Sequence, residues 1–306
     1  MRQIQKHVAT IVAVTTLSIA IVQPVSAGLT FITTYDSSVD TNARGKIDAV
    51  LDGYSALFSD NVNVSLKFTN SGTGLGTSLT YSFENSYQNF RTALAADASS
   101  ANDNIALAHL PGGTINPVNS TAFISQGRPG WAAIGLNVDV SGIANYFDGE
   151  IDLNLALMNY DRIAIDPNKY DLQAVTQHEV NEVLGVISNV GNTDPRPIDL
   201  FRYDSNGNRT FTKTGDDAYL SIDGTTKLAR FNQVAGGDYG DFWSAGGQVP
   251  QVQDAFSTPG STPNMNAELV MLDVVGWNRI SNVPEPGSLA VVGLIAGALV
   301  SCRRRR

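Results

Sequence analysis

His178, Glu179 and Glu182 occupy one short stretch, Tyr170 to Gly185, which reads YDLQAVTQHEVNEVLG. Residues four apart on a helix lie on one face, so His178 and Glu182 would project together and could reach one ion. Imidazole nitrogen and carboxylate oxygen both suit Zn2+, at about 2.0–2.2 Å. Glu179, about 100° further round such a helix, holds the place that the second residue of His-Glu-x-x-His fills as general base. A metal at such a site lowers the pKa of bound water towards neutrality, and the glutamate takes the water's proton as it attacks a carbonyl. Glu182 stands where that pattern has its second histidine, and its added negative charge weakens the metal's Lewis acidity. The same residues also fit a plainer reading, a His-Glu pair on a helix with Glu182 solvated.

The helix that must carry them starts near Asp171, a candidate cap, and turns Leu172, Val175, Val183 and Leu184 towards a core. Upstream, Gly28 to Tyr35 reads as a strand and Asp40 to Phe58 as a helix with Ile47, Val50, Leu51, Tyr54 and Leu57 at helical spacing. Val62, Val64, Leu66 and Phe68 alternate with polar residues, the pattern of a half-buried strand. Asn70 to Thr77 reads as a loop and Ser86 to Ala96 as a helix. Signals are weak from Asp97 to Trp131, then strand-like over Trp131 to Val138 and Ile151 to Leu157. Downstream, Phe211 to Phe231 reads as hairpins with turns at Asn206-Gly207 and Asp223-Gly224. Gly236 to Asp241 and Ala245 to Thr262 are loop-rich, and Met265 to Trp277 reads as a last helix closed by Gly276. This mixture predicts an α+β fold. Asp204 to Asn208 has some features of a calcium loop but lacks its glycine and its closing glutamate, so a hairpin turn fits better; Ca2+ stays a second candidate ion.

Both ends read as address labels. Arg2 and Lys6 precede an apolar run from Val8 to Val22, and Val25-Ser26-Ala27 offers a cleavage site, so residues 1–27 read as a signal peptide cut by signal peptidase after Ala27. At the other end, Val283-Pro284-Glu285-Pro286, the apolar stretch Leu289 to Val300 and Arg303 to Arg306 follow one another. This order resembles the PEP-CTERM sorting tail of Gram-negative bacteria. The resemblance implies transient insertion in the inner membrane, processing by an exosortase near Pro284, Glu285 and Pro286, and a surface or extracellular destination. The arginines independently favour a cytoplasmic C-terminus. The two ends hold six of the 20 Lys and Arg, leaving 14 in the body against at most 29 Asp and Glu. So acidic a body argues against nucleic acid or anionic lipid as partner. The one cysteine, Cys302, lies in the tail, so the body has no disulfide.

His178 to Gly185, then Asp199-Leu200-Phe201-Arg202-Tyr203, then Leu272 to Trp277, all ahead of that tail, resemble a family of exported PEP-CTERM metalloproteases with a zincin-like fold. The resemblance implies a mixed sheet with an active-site helix, broken by Gly185 as in metzincins, and a loop- and hairpin-rich C-terminal part. It also implies that the strand of Asp148 to Asn154, ahead of the helix, edges the substrate cleft. Ser188 falls where a metzincin has its third ligand, and a hydroxyl is a poor zinc ligand. Asp199, after a loop that could fold back beneath the helix, is the preferred third ligand, with a cap or ion-pair role equally open; His109 is the alternative. Met265 and Met271 are the candidates for the hydrophobic floor of a metzincin site, with a plain core role open to both.

These readings predict a zincin-like domain over 28–280, with lobes at 28–185 and 186–280, between a signal peptide (1–27) and a sorting segment (281–306). The expected activity is zinc-dependent hydrolysis of a protein or peptide, with Glu179 as base. The alternative is a catalytically silent zincin fold acting as a surface or matrix binding protein. A third is a metal-dependent hydrolase with a non-peptide substrate.

Overall fold

The computed structural model describes residues 28–215, 217–244 and 248–280; the expected signal peptide with Ala27 and the sorting segment with Pro284, Glu285 and Pro286 lie outside the described residues. Strand β1 (Thr30–Tyr35), helix α1 (Thr41–Leu57) and strand β2 (Asn63–Asn70) open this region. Asp40 caps α1, its Oδ1 accepting from the Ala43 amide at 2.9 Å. β1 and β2 pair in parallel, with Phe31 beside Val64 and Tyr35 beside Phe68.

β3 (Gly76–Leu79), β4 (Phe83–Ser86), α2 (Tyr87–Asp97), α3 (Ala101–His109), β5 (Phe123–Gln126) and α4 (Arg128–Ala133) follow. β6 (Gly149–Leu153) then joins β2 in parallel and β3 in antiparallel, giving the order β1-β2-β6-β3. The alternation read in the sequence sorts the two faces. Val64, Leu66, Phe68, Ile151 and Leu153 are buried. Lys67 and Glu150 pair at 2.8 Å on the opposite face, beside the Thr69–Asp152 hydrogen bond of 2.9 Å. Such a sheet needs cover on one face only.

Short strands β7 (Met158–Asn159) and β8 (Tyr170–Asp171) lead into α5 (Leu172–Leu184). α5 packs against both α1 and the sheet at β3 and β6. Its approach is tight at Gly149, where a Cβ would lie 2.4 Å from Cγ2 of Val183. Gly185, at φ 120°, ends the helix as expected, and the Val186 amide donates to the Asn181 carbonyl at 2.8 Å. Beyond it, β9 (Arg202–Tyr203), β10 (Tyr219–Leu220) and β11 (Ala229–Arg230) form the expected hairpins, and α6 (Ala267–Val274) is the last helix. One apolar core runs from Leu29 to Trp277 and includes Met271. The fold is α+β with a mixed sheet. Among the described residues no helix is long and apolar enough to cross a membrane.

Four local expectations are corrected. β3 lies partly inside the expected loop, because pairing with β6 makes a strand of polar residues. Asp148 to Asn154 is therefore interior, and the sheet ends on this side at β3. Trp131 to Val138 is not a strand; α4, with proline in its first turn, runs through Trp131 and breaks off before Gly135 at φ 75°. Asp171 makes no capping bond; its carboxylate is paired with Arg162.

The last helix is anchored by Trp277, fully buried, whose indole Nε1 donates to the Leu184 carbonyl at 2.8 Å. Trp277→Phe leaves that carbonyl without its donor. Its expected cost is about 1–3 kcal/mol, read in urea as a lower midpoint at unchanged slope.

Candidate metal centre

α5 presents His178, Glu179 and Glu182 to a cleft of about 520 Å3 whose opposite wall is the loop of Gly236 to Asp241 and the segment from Asp254 to Ser257. His178 Nε2 lies 3.7 Å from Glu182 Oε1 and 3.5 Å from Asp241 Oδ1. These separations are too long for good hydrogen bonds. They match the spacing of about 3.4 Å between ligand atoms that each sit near 2.1 Å from one tetrahedral zinc. His178, Glu182 and Asp241 thus form a group that could hold a metal ion.

Each donor atom is aimed by a second contact. His178 Nδ1 faces the Val252 carbonyl at 3.0 Å. With the proton on Nδ1 it donates there and leaves Nε2 a free lone pair, the usual arrangement of a metal-binding imidazole. Ser78 of β3 donates to Glu182 Oε2 at 2.6 Å, leaving Oε1 turned to His178. Asp241 Oδ1 accepts from Gln253 Nε2 at 3.0 Å. Gln253 Oε1 in turn accepts from Asn181 Nδ2 at 3.1 Å, and Asn181 Oδ1 from the Tyr54 hydroxyl at 2.6 Å. Tyr54, Asn181, Gln253 and Asp241 are all buried, so this relay fixes the third donor from α1 through α5.

The loop that delivers Asp241 is organised by buried Asn232. Its Nδ2 donates to the carbonyls of Val234 and Asp238, at 3.1 and 3.0 Å, and its Oδ1 accepts from the Val234 amide. Arg202 Nη1 donates to the Tyr239 carbonyl at 2.7 Å, and Gly240 lies where a Cβ would come 2.7 Å from the Ser188 amide. Gly240 thus lets the loop carrying Asp241 pass close to the segment that follows α5.

Of the residues expected at the site, His178, Glu179 and Glu182 meet in the cleft, while Asp199 and His109 do not. Asp199 takes the cap role. It is buried, accepts from the Ser188 hydroxyl and from the amides of Asn189 and Arg196 at 3.0 and 2.8 Å, and so closes the loop after α5. Asp199 is thus tied to the loop after α5 and stands outside the group that could hold an ion. His109 is exposed at the end of α3, its Nδ1 against the Ile105 carbonyl of its own helix. Asp204 Oδ1 accepts from the Asn206 and Asn208 amides, each at 2.9 Å, so that segment is the expected turn. Asp241 was missed because it lies in a glycine-rich loop with no periodic relation to α5. The one available signal was two aspartates among three glycines from Gly236 to Asp241.

Glu179 is buried beside Gly76 of β3, where a Cβ would fall 2.4 Å from its Oε1. Burial raises its pKa well above the usual carboxylate range, and the Glu182 charge adds to this. Burial works against a charged His178, yet Asp241 and Glu182 more than offset it and hold its pKa well above that of free imidazole. Without a metal, the cleft therefore stores protons.

No protein-family model, curated protein or solved structure matches the chain.

Two outcomes follow from this geometry. Asp241→Asn should lower Zn2+ affinity by at least about tenfold, whereas Asp199→Asn should leave affinity within a few-fold and lower stability; calorimetric titration and chemical denaturation separate them. The metal-free chain should also lose stability from about pH 4 upwards, where unfolded carboxyls give up their protons while the raised folded-state pKa values keep protons bound in the folded state. Asp60 and Asp254, pushed up to about 6 by burial, act in the same direction as Glu179 and His178. Zn2+ should tighten with rising pH, release protons on binding and oppose that decline.

Proposed function

We propose that this chain is an exported, zincin-like, zinc-dependent peptide hydrolase. The observation that carries the reading is the convergence of His178, Glu182 and Asp241 next to Glu179, in a cleft bordered by an antiparallel edge strand. The donor set of one imidazole and two carboxylates fits zinc. A zinc ion held by the three would supply Lewis acidity to a scissile carbonyl and acidify water.

The chain's own residues do the rest. β3 is hydrogen-bonded to β6 on one side and is the last strand of its sheet, so its other edge can pair with an extended peptide. That pairing lays the backbone of the peptide along the mouth of the cleft. Glu179, adjoining β3, accepts the proton of the attacking water and returns it to the departing amine. Burial raises its pKa above that of an exposed carboxyl, which strengthens it as the acceptor of a proton. Gly76 matters to this step, since any side chain there would drive the Glu179 carboxylate from its place.

The two carboxylates among the three donors support a second reading, a cleft that binds peptide without cleaving it, because their charge dulls the ion's Lewis acidity. Glu179→Gln decides between the readings: on the hydrolase reading it keeps stoichiometric zinc and lowers peptide hydrolysis at least about a hundredfold. Absence of hydrolysis in the zinc-loaded unmutated chain rejects that reading. Gly76→Ala should keep zinc as well and reduce kcat, in a steady-state assay, more than it changes KM.

A further inference from the structure

Five carboxylates line the cleft, Glu179, Glu182, Asp238, Asp241 and Asp254, and His178 is the one basic side chain among them. A divalent cation between Glu182 and Asp241 would balance those two, and Glu179 has its own place beside Gly76. Asp238 and Asp254 have no such role.

Asp254 is only 3 % exposed, and its Oδ1 is buried without a hydrogen-bond partner. Its Oδ2 accepts from the Gln251 amide at 2.9 Å, so the carboxylate is held in place with one oxygen unpaired. A buried acceptor left unpaired is costly, and for a carboxylate the cost is relieved by a cationic donor. Burial also pushes its acidity towards the neutral form, up to about 6, as expected of a carboxyl that lacks its counter-ion. Asp238 stands exposed at the rim and extends the same charge to the mouth. Against Gly237, next to Asp238, Ala255 and half-exposed Phe256 offer an apolar surface that suits the methylene stem of a long basic side chain, with an aromatic face for its charge.

Resting on the peptide-hydrolase reading, we infer that the cleft selects peptides carrying a lysine or arginine side chain, which enters past Asp238 and pairs with Asp254. The zinc-loaded full chain bearing Glu179→Gln, which holds peptides without cutting them, provides the test. Peptides with one central Lys or Arg, and counterparts with norleucine or citrulline, all N-acetylated, are titrated by fluorescence anisotropy. The basic peptides should bind at least about tenfold tighter, and Asp254→Asn should erase the difference while zinc content stays stoichiometric. Equal binding of basic and neutral peptides overturns the inference. So does a preference that survives Asp254→Asn, or loss of zinc from that variant, which would make Asp254 part of the metal site. Should Asp254→Asn fail to fold, Asp238→Asn at the exposed rim decides, and an undiminished preference there counts against it. Cleavage by the unmutated chain is scored separately. A lysine preference in binding with no cleavage of any peptide rejects hydrolysis and leaves the charge selection standing; cleavage blind to charge does the reverse.

Discussion

The buried relay from the Tyr54 hydroxyl through Asn181 and Gln253 to Asp241 is the constraint on which the rest of the site depends. Each of these groups lies out of water, so each must find its partner within the protein or destabilise the fold. That demand joins three parts of the chain that are far apart in sequence: α1, α5 and the segment after the hairpins. The Val252 carbonyl, next to Gln253, orients His178 by the same means. Segment 252–253 therefore aims two of the three candidate ligands, one by its backbone and one by a side chain.

The sheet contributes on the other side. β3 is short and polar, yet it places Ser78 against Glu182 and a bare glycine against Glu179. Both consequences follow from the antiparallel register with β6, which sets Gly76 opposite Leu153 and Ser78 opposite Ile151. A slip of one residue would turn Ser78 away from Glu182. The strand that would receive a peptide along its free edge is thus also the strand that orients the acidic groups of α5.

Helical and strand periodicity made α1, β2 and α5 legible, because each has an apolar face of the right spacing to bury. His178 and Glu182 were legible for a related reason: four residues on a helix is a fixed geometry. β3 was not, since its strand character comes from its partner rather than from its own side chains. α3 escaped because its face towards the core is small, with Ala106 its one buried apolar residue; the capping box of Ser100 and Asp103 was its local signal. Of the roles open to Asp199, the structure shows the cap, and the residue stands outside the group that could hold an ion. Asp241 lay beyond reach for a physical reason. A ligand supplied by a loop is positioned by tertiary hydrogen bonds, and these leave no spacing rule in the chain.

The order of the donors along the chain has a further consequence. His178 and Glu182 are present as soon as α5 has folded, but Asp241 and its support Gln253 come only after the hairpins and the loop held by Asn232. A chain emerging from its N-terminus therefore carries two of the candidate ligands for a long interval and lacks the third. Assembly of the candidate metal centre is thus a late event in folding, and a chain cut short before Asp241 lacks one of its three donors.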